Sequence, residues 1–195
     1  MFQALGVHGP ELSPLGSAFL DIVLVGIAFA FLIAPPRTNR MTVAMLTTMV
    51  LSMTALRVLM QPLPNIQPVT VAALLVGAHL GAKRGVAFAI LVTLLSNLLI
   101  GHGWWTLFQA IGWSTIAVLG ARATLFENGE LNLPRLCVFA AVSAPLFGLI
   151  STLSLITSEL TFTQFLVLLG QGVPFDAIHA LGNVAFAVWM GPVLH

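Results

Sequence analysis

Charged side chains are scarce in this chain of 195 residues, and Asp, Glu, Lys and Arg together make up only 7% of it. Hydrophobic residues account for 58%, and the mean hydropathy is +1.04. A soluble domain of this length needs a more polar surface, whereas a membrane helix needs ~20 apolar residues to cross ~30 Å of hydrocarbon. The composition therefore predicts a polytopic membrane protein.

Other absences narrow the class further. A formal net charge of +1 argues against a nucleic-acid partner, which requires a basic face. The single cysteine, Cys137, rules out a disulfide framework. Residues 1–16 lack the basic stretch of a cleavable signal peptide, and the first apolar run carries Asp21. The period-2 alternation of a β-barrel is also absent, so the spans are predicted to be helices in an all-α bundle.

Seven apolar segments are separated by breaks rich in proline, glycine and charge. They cover residues 17–34, 41–61, 68–82, 85–101, 104–122, 135–157 and 174–194. The third and fourth are short for complete spans, which suggests tilted helices or a nearly re-entrant pair.

Basic residues alternate between the loops. Arg37 with Arg40, Lys83 with Arg84, and Arg122 with Arg135 occupy every second connection, whereas the loops around 61–68, 101–104 and 158–173 contain neither Lys nor Arg. The positive-inside rule then predicts an N-terminus outside and a C-terminus in the cytoplasm.

The last segment carries three polar residues on one predicted helix face. Asp176, His179 and Asn183 are spaced by three and four residues, and Pro174 suits the first turn of a helix. We interpret this face as part of a ligand site. The alternative is that Asp176 caps the helix while His179 and Asn183 make interhelical hydrogen bonds.

The fifth segment repeats Trp105, Gln109 and Trp113 at intervals of four. Indole rings beside an amide suit a flat, largely uncharged ligand, although core packing explains the pattern equally well. Asn65 and Gln67 lie in a proline-bounded loop that could form a lid. The predicted substrate-binding residues are Asn65, Gln67, Asn97, His102, Trp105, Gln109, Trp113, Asp176, His179 and Asn183. Seven of them are expected to surround one cavity in the outer half of the bundle, namely Asn65, His102, Trp105, Gln109, Asp176, His179 and Asn183.

The second segment carries a methionine stripe beside a stripe of small residues. Met41, Met45, Met49 and Met53 form the first, and Ala44, Thr48 and Ser52 form the second. Small residues let helices approach closely in lipid, and methionine surfaces re-pack against different partners. We expect these stripes to be at least partly exposed to lipid for docking, with internal packing as the alternative.

One charged pair is predicted inside the membrane. Asp21 and Arg57 lie at matching depth, so an ion pair would connect the first segment to the bundle. Alternatively, Arg57 extends alone toward the interface, or it reaches toward Asp176 and shapes the ligand pocket. A charged pair in the pocket would weaken the argument for an uncharged ligand.

Several motifs resemble the substrate-binding S components of energy-coupling factor transporters. They are Pro64-Asn65-Ile66-Gln67-Pro68-Val69-Thr70, Ser96-Asn97, Gly101-His102-Gly103-Trp104-Trp105-Thr106 with Gln109, and the ending Phe175-Asp176-Ala177-Ile178-His179-Ala180-Leu181-Gly182-Asn183. The resemblance covers roughly residues 40–195. It implies a six-helix core, residues 37–195, preceded here by an accessory transmembrane helix, residues 1–36.

The resemblance also implies a function without enzymatic chemistry. Such a subunit captures a vitamin or related micronutrient outside a prokaryotic cell membrane and delivers it inward, with a weak preference here for cobalamin. Its partners would be a transmembrane coupling subunit and two ATPases, which hydrolyse ATP, so this chain would need no cofactor. In the family an Ala-x-x-x-Ala patch docks on the coupling subunit. The matching docking residues are Ala44, Thr48 and Ser52, accompanied by Met45 and Met49.

A second interpretation involves metal. His102, Asp176 and His179 could bind an ion in a metal-uptake subunit or an intramembrane metalloenzyme. No HExxH motif or second carboxylate-rich helix supports this alternative.

Overall fold

The computed structural model describes residues 12–34 and 39–193. It contains helices α1 (Pro14–Ile33), α2 (Arg40–Leu59), α3 (Val69–Leu80), α4 (Ala82–Ile100), α5 (Trp105–Arg122), α6 (Leu133–Thr152) and α7 (Phe162–Met190), with a 3-10 turn at Leu153–Leu155. Short strands β1 (Phe126–Glu127) and β2 (Glu130–Leu131) form a hairpin between α5 and α6.

The predicted all-α membrane bundle is confirmed. Five of the described helices, α1, α2, α4, α6 with its 3-10 turn, and α7, are long and apolar enough to cross a membrane. The arrangement of six spans plus one stays a prediction, because α3 has only 12 residues and α5 is not among the five.

Helix α3 is the centre of the bundle. Every residue from Val69 to Gly77 is buried, and α3 contacts α2, α4, α5, α6 and α7. At 1.5 Å per residue it extends about 18 Å, which is shorter than the hydrocarbon core. Such a helix can remain short because neighbouring helices, and not lipid, surround most of its length.

Glycines allow α3 and α5 to touch backbone to backbone. A Cβ at Gly77 would lie 2.0 Å from the carbonyl oxygen of Ala117, and one at Gly120 would lie 2.2 Å from that of Leu74. Gly81 then turns the chain directly from α3 into α4 with φ +83°, a conformation that favours glycine. These contacts fix the two helices that carry much of the polar site.

Helix α1 packs along α4. Its buried stripe of Leu20, Leu24 and Ala28 contacts a cluster that includes Ile90 of α4 and Ala110 of α5, while the rest of α1 is largely exposed. The accessory helix is therefore attached to one side of the bundle, against α4.

Helix α7 begins 12 residues earlier than predicted. Thr161 and Gln164 form a reciprocal capping box at its start, so the expected connection over 158–173 is mostly helical and Pro174 lies inside the helix. The prediction that Asp176 caps a helix N-terminus is wrong for the same reason. At 29 residues α7 is about 43 Å long, and neighbouring helices let membrane helices accommodate an internal proline.

The described basic residues other than Arg57 gather at one end of the bundle. Arg40 starts α2, Lys83 and Arg84 lie in the first turn of α4, and Arg122 ends α5. Arg135, in the first turn of α6, contacts Glu127 at 2.6 Å and donates to the carbonyl oxygen of Thr124 at 2.7 Å. The Arg37 of the predicted pattern lies outside the described residues.

Replacing Gly120 with Ala should destabilise the protein by about 1–3 kcal/mol, because the new Cβ would overlap the backbone of Leu74. Thermal unfolding in detergent measures the effect. Gly170→Ala in α7 is the matched control, since a Cβ there meets nothing within 4 Å and alanine favours helix. Equal unfolding temperatures for the two variants would contradict the close α3–α5 contact.

Candidate functional site

A buried arginine is the centre of the candidate site. Arg57, in the last turn of α2, is only 2% exposed. Its Nε donates to Oε1 of Gln67 at 3.1 Å, and its Nη2 donates to Oε1 of Gln109 at 3.1 Å. Its Nη1 donates to Oδ1 of Asn97 at 2.6 Å and to the hydroxyl of Ser96. Four side chains, from α4, α5 and the loop before α3, therefore converge on one guanidinium.

Asn97 connects the arginine to α5. Its Nδ2 donates to Oγ1 of Thr106 and to Oε1 of Gln109, both at 2.9 Å, while its Oδ1 accepts from Arg57. Thr106 in turn accepts from the backbone N–H of Gly103 at 3.3 Å. This network holds the end of α4 against the start of α5, and its members are buried or half-buried.

An aromatic group extends the site toward α6 and α7. The guanidinium carbon of Arg57 lies 4.8 Å from the ring centre of Trp113, which is within cation–π range. Nε1 of Trp113 donates to Oγ1 of Thr70 at 3.3 Å, and that hydroxyl also hydrogen-bonds Nε2 of His179 at 3.1 Å. Phe147 packs against both rings, 4.7 Å from Trp113 and edge-on to His179 at 5.5 Å.

The other two polar residues of α7 face α6. Asn183 is buried, and its Nδ2 donates to the carbonyl oxygen of Ala140 at 3.0 Å. The half-buried carboxyl group of Asp176 lies against Gly148, where a Cβ would come within 2.1 Å of Oδ1. The shared face was predicted correctly, but only His179 reaches the aromatic group next to Arg57. Both His179, to Thr70 of α3, and Asn183, to Ala140 of α6, make the interhelical hydrogen bonds of the alternative interpretation.

The predicted Asp21–Arg57 ion pair is wrong. Oδ1 of Asp21 lies 2.6 Å from Nε2 of His102, in the connection between α4 and α5. His102 therefore contacts the accessory helix instead of joining the residues around Arg57. Arg57 is held by amides and hydroxyls, and it makes no ion pair with Asp21 or Asp176 among the described residues.

Two further predicted residues, Asn65 and Trp105, lie in the loop before α3 and at the start of α5. Asn65 is exposed in the loop before α3, with a left-handed φ of 57° that asparagine tolerates. The ring of Trp105 covers Gly103, where a Cβ would meet it at 2.0 Å. Ile66, the residue after Asn65, packs close to Gly182 of α7, so the loop before α3 lies against that helix.

The predicted residues are therefore only partly brought together. Gln67, Asn97, Gln109 and Trp113 surround Arg57, and His179 joins them through Thr70. His102, Asn65, Asp176 and Asn183 have other surroundings. Two apolar clefts of about 530 and 490 Å³ lie elsewhere, the first between α1, α2 and α4 and the second between α1, α4 and α5.

The predicted docking face of α2 is largely exposed, as expected. Ala44, Met45, Thr48 and Ser52 are exposed, and Met49 is half-buried. Met53 departs from the prediction because it is 5% exposed and belongs to the core.

Arg57 was expected chiefly to pair with Asp21, so it was not among the ten predicted substrate-binding residues, and a role in the pocket was only the alternative. The signal was available, because Arg57 is a basic residue well inside an apolar segment and such residues in membrane helices usually serve function. Ser96, Thr70 and Thr106 were also omitted, and Phe147 offered no pattern that distinguishes it from other core aromatics.

Comparison with known families matches residues 37–193 to a family of unknown function, DUF6580. The chain belongs to this family. The match begins after α1, so the accessory helix lies outside it. No curated protein and no solved structure matches the chain.

Replacing Asn97 with Ala should lower the free energy of unfolding by roughly 2–3 kcal/mol, because it removes an acceptor from a buried charge and two donors from the α4–α5 contact. Chemical or thermal unfolding in detergent micelles checks this value. Gln61→Ala, in the exposed loop after α2, should leave stability unchanged. If Asn97→Ala lowers the free energy of unfolding no more than Gln61→Ala does, the network around Arg57 is not formed.

Proposed function

We propose that this member of DUF6580 is the solute-binding membrane subunit of an energy-coupling factor importer. The observation that carries the proposal is the polar cluster around Arg57 in an otherwise apolar bundle. Polar and ionisable groups inside membrane helices are costly, and they usually mark a path or site for solutes. Lipid-facing packing alone would favour apolar residues at these positions.

The position of the cluster supports uptake. It is built from the ends of α2 and α4 and the starts of α3 and α5, so it lies at the end of these helices opposite Arg40, Lys83, Arg84 and Arg122. Under the positive-inside rule that basic end is cytoplasmic, and the site is reached from outside. The corresponding topology in a prokaryotic cell membrane has the N-terminus outside and the C-terminus inside.

A capture step follows from the loop between α2 and α3. Gln67 at its end bonds Arg57, and Ile66 packs near Gly182 of α7. Movement of this loop would uncover the guanidinium and close again over a bound solute. The chain itself then performs binding and carries out no covalent chemistry.

The exposed face of α2 supports the proposed partners. Ala44, Thr48 and Ser52 leave a shallow surface next to Met45, which suits close contact with another membrane helix. A transmembrane coupling subunit would dock there, and two ATPase subunits would supply ATP hydrolysis. The preference for cobalamin rests on the resemblance alone and stays a prediction.

The metal alternative has less support. The described residues contain no group of three His, Cys, Asp or Glu side chains that could hold an ion. His102 contacts Asp21 of α1, whereas His179 lies with Thr70 and Trp113, so the three proposed ligands do not form one site.

Mass spectrometry of the purified protein, extracted gently from membranes, tests the proposal. We expect a retained small organic solute and, after affinity purification from native membranes, a coupling subunit with two ATPases. Recovery of bound metal without an organic solute would favour the alternative. A protein that carries neither a solute nor these subunits would contradict the transport proposal.

Replacing Thr48 with Trp should abolish coupled uptake of the retained solute while leaving its binding unchanged, because the bulky ring would obstruct the docking face. Radiolabelled uptake in cells and binding to purified protein separate the two effects. Val43→Trp is the control, since Val43 is exposed on another side of α2, in the cleft beside α4. If Thr48→Trp also loses binding, its effect is structural and the docking role is wrong.

A further inference from the structure

The hydrogen bonds of Arg57 divide into an inner and an outer set. On the inner side, Nη1 binds Ser96 and Asn97, which are buried. On the outer side, Nε and Nη2 bind one oxygen each, from Gln67 and Gln109, which are only half-buried. Nε and Nη2 form the side of a guanidinium that commonly binds both oxygens of one carboxylate.

The two glutamine oxygens therefore occupy the positions that a carboxylate would fill. Both lie 3.1 Å from their donors, which is longer than the 2.7–2.9 Å typical of charge-assisted pairs. They satisfy the geometry of the two N–H groups, but a neutral amide does not compensate the charge.

The charge of Arg57 has no acidic counterpart among the described residues. Asp21 pairs with His102, and Glu127 pairs with Arg135 at the other end of the bundle. Asp176 lies against Gly148 of α6. A buried cation held only by neutral groups is costly, and an arriving anion would recover much of that cost.

We propose that Arg57 binds a carboxylate group of the transported solute through Nε and Nη2, displacing the oxygens of Gln67 and Gln109. This inference rests on the proposed function and specifies its substrate class. It replaces the expectation of a largely uncharged ligand, which was based on the lack of Lys and Arg in the outer loops. The cation is instead inside the bundle, at the end of α2. The inference also replaces the preference for cobalamin, whose side chains end in amides and not in carboxylates.

The single positive charge of Arg57 and the planar pair of N–H groups at its Nε and Nη2 favour a monocarboxylate over a phosphate. The other described Lys and Arg residues lie at the opposite end of the bundle, so a phosphate dianion would leave uncompensated negative charge in a buried site. A carboxylate neutralises Arg57 one to one. Once displaced, the amide groups of Gln67 and Gln109 can turn and donate to the same anion.

Paired probes test the charge requirement directly. Each carboxylate is compared with the amide of the same carbon skeleton: acetate with acetamide, benzoate with benzamide, and octanoate with octanamide. Inorganic phosphate is the third kind of probe. Binding is followed by thermal unfolding and by tryptophan fluorescence of the full chain in detergent. Trp113 reports on the site because it stacks on Arg57. We expect at least one carboxylate to raise the unfolding temperature and to bind at least about tenfold more tightly than its amide.

Two variants assign the effect to the arginine fork. Gln67→Glu supplies an internal carboxylate, so it should raise the unfolding temperature without a probe and abolish the carboxylate response. Gln61→Glu, in the exposed part of the same loop, should change neither. Arg57→Gln should also lose the response to carboxylates. If Arg57→Gln does not fold, Gln67→Glu still decides the test.

The outcomes separate this inference from the proposed function. Amides that bind as well as acids, a response to phosphate alone, or no response to any carboxylate would each overturn the carboxylate site. Recovery of a neutral solute together with coupling and ATPase subunits would also overturn it while supporting transport. Carboxylate binding that Gln67→Glu abolishes, without such partners, would support the site and count against the importer.

Discussion

The rest of the site depends on how the bundle accommodates one buried positive charge. Removing a guanidinium from water is costly, and the cost is reduced only if its N–H groups find acceptors. Arg57 obtains them from Gln67, Ser96, Asn97 and Gln109, which lie in a loop and two helices other than its own. Each acceptor must therefore be held at a fixed position, and this requirement links the loop before α3 and helices α4 and α5 to the end of α2.

The close approach of α3 and α5 supplies that rigidity. Gly77 and Gly120 let the two backbones touch, and the α3–α5 contact positions Thr70 and Trp113 for their hydrogen bond. Trp113 then stacks on Arg57, so the glycines and the arginine belong to one arrangement. The two glutamines are the half-buried part of the acceptor shell. A ligand that replaced their oxygens would leave the α3–α5 contact in place and would cost one further hydrogen bond, the one that Gln109 accepts from Asn97.

Much of this fold follows from the sequence because hydrophobic length and proline or glycine breaks are local signals. The segment at 104–122 corresponds closely to α5, and the single-residue turn at Gly81 lies where glycines and charges marked a break. Pro174 led to a wrong start for the last helix, because proline is found both in the first turn of a helix and in the interior of a membrane helix. The capping box of Thr161 and Gln164 sets the start of α7. Its Thr-x-x-Gln pattern is visible in the sequence, but it is a weaker indication of a helix start than a proline. The Asn128-Gly129 pair likewise favours a hairpin turn, and it lies between β1 and β2, which the apolar segments did not predict.

Partners across helices could not be predicted in the same way, because depth in the membrane does not specify helix rotation. Asp21 and Arg57 share a depth, yet the buried stripe of α1 is directed toward α4, and Asp21 meets His102 beyond the end of that helix. This pairing gives the carboxyl group of α1 a polar partner and leaves Arg57 without a protein carboxylate. The attachment of the accessory helix and the open charge of the site are thus connected: had Asp21 faced Arg57, the same residues would have formed a closed ion pair with little reason to bind an anion.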